Sequence, residues 1–173
     1  MSTKIPLSKA KLAVGIAGSI TFITLGYLMI TDDFEKYNTP FTRGVGIVCI
    51  VFFGIALLFS LYKLMDKKPG LIIDEEGITD NSGAVNAGLI EWKDIISIDI
   101  KTIISTDLLI IHVNDPDKYI NRAGRQKAWL MRRSMGLYGT PINISSTALK
   151  YNFDELYKLI QVNIKKHNGN RIA

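Results

Sequence analysis

The chain has 173 residues, with 21 lysines and arginines against 16 aspartates and glutamates, and a formal net charge of +5. The excess of positive charge lies in residues 1–68, which contain eight bases and four acids, whereas residues 69–173 contain 13 bases and 12 acids. The C-terminal region is therefore nearly neutral, which is not typical of a nucleic-acid-binding domain, and no nucleic-acid partner is expected. The single cysteine, Cys49, excludes a disulfide within this chain and a cysteine-based metal site.

Two apolar runs dominate the N-terminal region. Residues 12–30 and 44–62 each contain 19 residues without Asp, Glu, Lys, Arg or His. At a rise of about 1.5 Å per residue, a helix of that length spans roughly 28 Å, close to the hydrocarbon thickness of a bilayer. We therefore predict a transmembrane hairpin over residues 1–68. Its first span is expected to stay uncleaved, because no small-residue cleavage pattern follows it.

The charges that flank the two runs predict the orientation of this hairpin. Lysines precede the first run and follow the second, namely Lys4, Lys9, Lys11, Lys63, Lys67 and Lys68. The positive-inside rule then places both termini in the cytoplasm and the loop 31–43 outside. Small residues favour close packing of the two helices, with oligomerisation as the alternative. They are Ala13, Gly15, Ala17 and Ser19 in the first run and Gly46, Cys49, Gly54 and Ala56 in the second.

Short strands are predicted after Pro69-Gly70, where the composition changes. Residues 71–73 and 78–80 predict a β-hairpin closed by an acidic turn, in which Gly77 supplies a positive φ. Further strands are expected at 89–92, at 96–101 from the alternation of isoleucine with polar residues, at 107–113 and at 140–145. An amphipathic helix is predicted over residues 153–167, with Asn152 as its N-cap.

A basic segment interrupts this pattern at about 118–134, and we predict a helical insert there, with the helix itself over 120–134. Its candidate lipid- or partner-binding residues are Lys118, Arg122, Arg125, Lys127, Trp129, Arg132 and Arg133. One interpretation is a solvated basic face of an ordinary helix. The other is a helix on the anionic inner leaflet, with Trp129, Leu130 and Met131 entering the interface.

Catalytic and metal-binding motifs are not found in the sequence. It has no glycine-rich phosphate loop, no H-E-x-x-H, no cysteine and histidine ligand spacing and no G-x-S-x-G. The two histidines, His112 and His167, have no obvious partners in the sequence. We therefore expect a protein that is not an enzyme and that binds no cofactor and no metal.

The order of elements after the hairpin resembles a pleckstrin-homology-like (PH-like) domain of the bacterial type. The resemblance rests on Gly70-Leu71-Ile72-Ile73-Asp74-Glu75-Glu76-Gly77-Ile78, on Ile90-Glu91-Trp92-Lys93-Asp94-Ile95 and on Asn152-Phe153-Asp154-Glu155-Leu156. The whole chain is similar to a family of small, uncharacterised bacterial inner-membrane proteins with a two-helix hairpin before such a domain. The resemblance implies an α+β membrane protein. Its residues 69–173 would form a bent antiparallel sheet, closed by the C-terminal helix, on the cytoplasmic side.

These expectations together favour a non-catalytic, membrane-anchored interaction module in a bacterial inner membrane. Its cytoplasmic domain would bind a protein partner, a second copy of itself or anionic lipid headgroups. The alternative is a subunit of an oligomeric channel or transporter. Neither run contains an ionisable residue that would indicate an ion pathway.

Overall fold

The computed structural model describes residues 2–31, 39–83, 85–104, 106–147 and 149–169. These residues form two compact units, one of Lys9–Lys67 and one that combines Met1–Ser8 with Lys68–Ala173. Most of the predicted external loop 31–43 lies outside the described residues. Its last part is already helical, because the second long helix begins at Pro40.

The first unit consists of two long helices, α1 (Lys9–Ile30) and α2 (Pro40–Met65). Both are longer than the uncharged runs, and both are long and apolar enough to cross a membrane. Thr39 caps α2 by accepting a hydrogen bond from the Thr42 amide, and Pro40 suits the first helical turn, where no amide partner is needed.

The two long helices are in close contact at a pair of glycines. A Cβ on Gly26 would lie 2.9 Å from the Gly46 carbonyl oxygen, and one on Gly46 would lie 2.7 Å from the Gly26 carbonyl oxygen. Gly46 was among the small residues predicted to pack there, whereas Gly26 was not. The Phe22 and Phe53 rings stack nearby with centroids 4.3 Å apart.

The second unit contains a four-stranded antiparallel sheet in the order β1-β2-β3-β4. Its strands are β1 (Thr3–Ile5), β2 (Leu71–Ile73), β3 (Gly77–Asp80) and β4 (Gly88–Glu91). The β2–β3 hairpin and the strand at 88–91 confirm the sequence predictions. Strand β1 corrects the predicted boundary of the hairpin region at 1–68, because residues 3–5 pair with residues 71–73. The two long helices are therefore inserted between two neighbouring strands of one sheet.

A second antiparallel sheet has the order β5-β6-β7. Its strands are β5 (Ile95–Ile103), β6 (Thr106–Val113) and β7 (Ile142–Ser145), and a short 3₁₀ turn at Trp92–Asp94 precedes β5. Helices α3 (Pro116–Arg122) and α4 (Arg125–Tyr138) connect β6 to β7, and α5 (Phe153–Asn168) follows. Asn152 caps α5 by accepting hydrogen bonds from the amides of Asp154 and Glu155, as predicted.

The core of this unit is aliphatic and draws on both sheets and on α5. Its residues with essentially no exposed surface include Leu71, Ile78, Ile90, Leu109, Ile111, Ile144, Leu156 and Ile160. Ile5 belongs to the same cluster, so burial of a single side chain joins the N-terminal strand to the core.

Gly77 does not have the positive φ that the sequence analysis predicted. The positive-φ glycines of the described residues are Gly88, Gly139 and Gly169. The turn before Gly77 is closed instead by the Asp74 carboxylate, which accepts hydrogen bonds from the amides of Glu76 and Gly77. Glycine is required at position 77 for another reason, since a Cβ there would overlap the Ile90 carbonyl group.

Candidate functional site

The basic segment forms two helices rather than the single helix predicted over 120–134. Asp115 caps α3 through the Lys118 amide, and α3 ends at Arg122. Ala123 is extended, and α4 begins after Gly124 and continues to Tyr138. Gly139, with a φ of 72°, ends α4 in the left-handed conformation that favours glycine.

Lys118 binds inward, to the strand and turn beside α3. Its Nζ lies 2.6 Å from Glu91 Oε1 and 2.6 Å from Asp94 Oδ2. The buried Tyr119 hydroxyl donates a 2.8 Å hydrogen bond to the same Asp94 oxygen. Hydrogen bonds from Lys118 and Lys93 lower the pKa of Glu91 to about 2, and those to Asp94 and Glu91 raise the pKa of Lys118. Burial raises the pKa of Tyr119 to about 12.

Arg122 and Lys127 are also bound within the fold. The Arg122 guanidinium donates to the carbonyl oxygens of Ala87 and Leu89 and lies over the Tyr119 ring. Lys127 Nζ donates a 2.6 Å hydrogen bond to Asn86 Oδ1. Three of the seven predicted site residues therefore attach α3 and α4 to β4 and to the residues just before and after it.

The other four predicted residues lie together on the solvent side of α4, namely Arg125, Trp129, Arg132 and Arg133. Three of them form a row with Leu137, which was not predicted: Arg125, Trp129, Arg133 and Leu137 lie at four-residue intervals and hence along one side of the helix. Trp129 is 58% exposed and Leu137 is 71% exposed. Leu130 and Arg132 are exposed beside this row. We call these six residues the outer face of α4.

Arginine and tryptophan are in direct contact on the outer face of α4. The Arg133 Cζ atom lies 5.4 Å from the centroid of the Trp129 ring, within the range of a cation–π interaction. The sequence has no aspartate or glutamate between Asp117 and Asp154. The outer face of α4 is therefore both basic and apolar, and no acid on its own helix neutralises it.

One of the two interpretations of the basic segment placed Met131 in a membrane interface with Trp129 and Leu130, and for Met131 this is wrong. It is 1% exposed and belongs to the core, as does Ala128. Ser134, also on this buried side, accepts a hydrogen bond from Asn143 and donates one to the Thr140 carbonyl oxygen. Leu137 was missed because the predicted helix ended at 134. The C-capping glycine at 139 is the signal that would have extended it.

Both histidines have partners that the sequence did not indicate. His112 Nε2 lies 3.2 Å from Asp99 Oδ2 on the neighbouring strand. The His167 ring stacks on Trp92 with centroids 5.6 Å apart. Within the described ranges, no group of three or more His, Cys, Asp or Glu side chains is arranged to hold a metal ion.

No family model, no curated protein and no solved structure matches this chain.

Proposed function

We propose that the chain is a non-catalytic, membrane-anchored interaction module whose C-terminal unit, a PH-like domain, binds anionic lipid headgroups through the outer face of α4. The membrane is the inner membrane of a bacterium, and both termini lie in the cytoplasm. The observation that carries this proposal is the outer face itself, where Arg125, Arg132 and Arg133 accompany exposed Trp129, Leu130 and Leu137.

The length of the two long helices and the exposure of their side chains support the proposal that they anchor the chain in a membrane. At about 1.5 Å per residue, α1 with 22 residues and α2 with 26 residues reach roughly 33 and 39 Å, enough to cross the hydrocarbon core. A core helix of a soluble protein would be mostly buried. Only 11% of the most apolar window of α1 and 6% of that of α2 are buried.

Pairing of β1 with β2 supports the orientation of the anchor. Thr3 lies opposite Ile73, and Ile5 lies opposite Leu71. Strands that pair must lie on the same side of a membrane, so the chain between them crosses it an even number of times. Two crossings satisfy this requirement, and the flanking lysines then favour the cytoplasmic side.

Sheet order supports the assignment to the PH-like domains. One four-stranded and one three-stranded antiparallel sheet are followed by an amphipathic helix whose buried residues are Phe153, Leu156, Ile160 and Ile164. The antiparallel strands and the C-terminal helix agree with the resemblance, which implies one bent sheet after the hairpin. The chain differs in having two sheets, with the long helices after the first strand and a helix pair before the last.

Anionic lipid fits the outer face of α4 better than a protein groove would. Each basic residue near an anionic membrane surface contributes about 1 kcal/mol, so the three arginines together contribute about 3 kcal/mol. Tryptophan and leucine prefer the interface, where an amphipathic helix buries its apolar side chains among the headgroups.

The test uses the full chain in lipid nanodiscs, because β1 belongs to the C-terminal unit and a fragment beginning at residue 69 would lack it. A fluorophore is attached to Leu130→Cys in a Cys49→Ala background, and quenching by lipids with spin-labelled headgroups is measured. We expect strong quenching in nanodiscs with roughly a third of anionic lipid and weak quenching in neutral ones. Added salt should reduce the quenching, because it screens the charges.

Two charge variants decide between a specific contact and a general attraction. The triple variant Arg125→Gln, Arg132→Gln, Arg133→Gln should lose the quenching. The matched variant Lys158→Gln, Lys165→Gln, Lys166→Gln removes the same charge from the exposed side of α5 and should keep it. Equal quenching in neutral and anionic nanodiscs, or equal loss in both variants, would contradict the proposal.

A further inference from the structure

Strand β5 forms an open edge of its sheet. It is nine residues long and pairs with β6 on one side, and the described residues contain no strand on its other side. Three of its five isoleucines are exposed, with Ile96 at 51%, Ile100 at 36% and Ile103 at 39%, whereas Ile95 and Ile98 are buried. A long, apolar edge of this kind is a template for pairing with another chain.

The directions of the β5 backbone groups follow from the neighbouring strand. On β6, the Asp107 amide and carbonyl bond to Ser146, and the Ile111 carbonyl oxygen accepts from Thr140, so these residues bond toward β7. Alternation then directs Leu108 and Ile110 toward β5, where they face Lys101 and Asp99. The amides and carbonyls of Ile98, Ile100 and Thr102 therefore point away from the sheet.

The sequence of β5 is complementary to itself in one antiparallel register. With Ile100 opposite Ile100 of a second copy, Asp99 lies opposite Lys101 and Ile98 lies opposite Thr102. All outward-pointing backbone groups of the three central residues are then paired. Two Asp99–Lys101 pairs form across the junction, where side chains directly opposite approach to about 5 Å. His112 contacts Oδ2 of Asp99, so the other carboxylate oxygen, Oδ1, is on hand for Lys101 of the second copy.

The residue that follows β5, Ile104, would also contact the second copy in this register. It is 98% exposed and has a φ of 57°, a conformation that is costly for a β-branched residue and that brings it no burial in the described chain. In the self-paired register, Ile103 lies opposite Ser97 of the second copy, and Ile104 follows it. Beside Ser97, each copy has a groove of about 210 Å³ lined by Ser97, Ile98, Gln161, Ile164 and Lys165.

We infer that two copies of this chain associate through β5, forming a continuous six-stranded sheet in which Ile104 of each copy enters the groove between β5 and α5 of the other. The Tyr157 hydroxyl lies 3.5 Å from the Ile98 carbonyl oxygen, at the limit of a hydrogen bond. That oxygen can accept a second bond from the Thr102 amide of the other copy. This association is independent of lipid binding by the outer face of α4.

Cysteine cross-linking of the full chain in dilute detergent solution tests the register. In a Cys49→Ala background, Ile100→Cys places two thiols opposite each other at the two-fold axis, and mild oxidation should give a covalent dimer. Leu137→Cys on α4, where the side chain is 71% exposed against 36% for Ile100, should not. Equal cross-linking at both positions, or none at position 100 in folded protein, would overturn the inference.

Ile104→Asn separates association from folding. Asparagine tolerates a positive φ, so this variant should unfold at the same temperature as the unchanged protein or higher. It should weaken dimerisation by roughly a hundredfold, because two isoleucine side chains lose their burial. Light scattering over a concentration series measures this, and an unchanged dimer in the folded variant would contradict the role of Ile104.

Discussion

The basic residues of α3 and α4 divide into two groups with opposite surroundings. Lys118, Arg122 and Lys127 bind carboxylate, carbonyl and amide oxygens on β4 and beside it. Arg125, Arg132 and Arg133 have exposed side chains on the outer face of α4. The two groups are interleaved in the sequence, so composition does not separate them. A basic side chain is available to a ligand only where the fold offers it no oxygen of its own.

The largest expected difference lies between the two sides of α4. Met131→Ala should lower the free energy of unfolding by about 2 to 5 kcal/mol, because it opens a cavity beneath a side chain that is 1% exposed. Its neighbour Leu130, 41% exposed, should change stability by less than about 0.5 kcal/mol when replaced by alanine. Denaturant unfolding of the full chain in detergent, followed by circular dichroism, measures both. Similar losses for the two variants would mean that α4 is not oriented as described.

The next largest difference in stability is expected between a basic residue bound within the fold and one on the outer face of α4. Lys118→Met should lower the melting temperature. The Asp94 carboxylate, only 6% exposed, would still accept the hydrogen bond from the Tyr119 hydroxyl but would lose the lysine ammonium that compensates its buried charge. Arg125→Met should leave stability within about 0.5 kcal/mol, since it removes an exposed charge. Thermal unfolding by circular dichroism compares the two. A stable Lys118→Met protein would contradict the structural role assigned to that lysine.

A smaller effect is expected from the pH. The pKa of Glu91 is about 2 in the folded chain, against an ordinary value of 4.5, because Lys118 and Lys93 stabilise its charged form. The stability that this carboxylate contributes is therefore fully present above pH 4.5 and is lost as the pH falls to about 2. Melting temperatures measured across this window should fall less steeply for Glu91→Gln than for the unchanged chain. Parallel curves would show that Glu91 is not the titrating group.

Much of the fold was predictable because local patterns determine it. The two uncharged runs, the alternation of isoleucine along β5 and the i, i+3, i+4 pattern of α5 each follow from residues close together in the chain. The cap at Asn152 has the same origin. These elements are found with boundaries shifted by a few residues at most, except for α2, whose N-terminus extends beyond the uncharged run to Pro40.

The features that were missed depend on residues far apart in the sequence. Strand β1 has three residues and is defined only by its partner β2, more than sixty residues later. Gly77 is needed because the Ile90 carbonyl group approaches it from another strand. Lys118 and Arg122 resemble surface bases until Glu91, Asp94 and the carbonyl groups of β4 are placed beside them. No pattern within the basic segment contains that information.

Insertion of the long helices between β1 and β2 has a consequence for biosynthesis. Strand β1 leaves the ribosome first, and its partner follows about 65 residues later, a delay of several seconds at ordinary rates of synthesis. During that time the N-terminal segment has no sheet to join. In the proposed topology, only a chain that keeps its N-terminus on the side where β2 emerges can complete the sheet and bury Ile5. In that topology, completion of the domain would distinguish correct from wrong insertion, since a wrongly inserted chain would leave the edge of β2 unpaired.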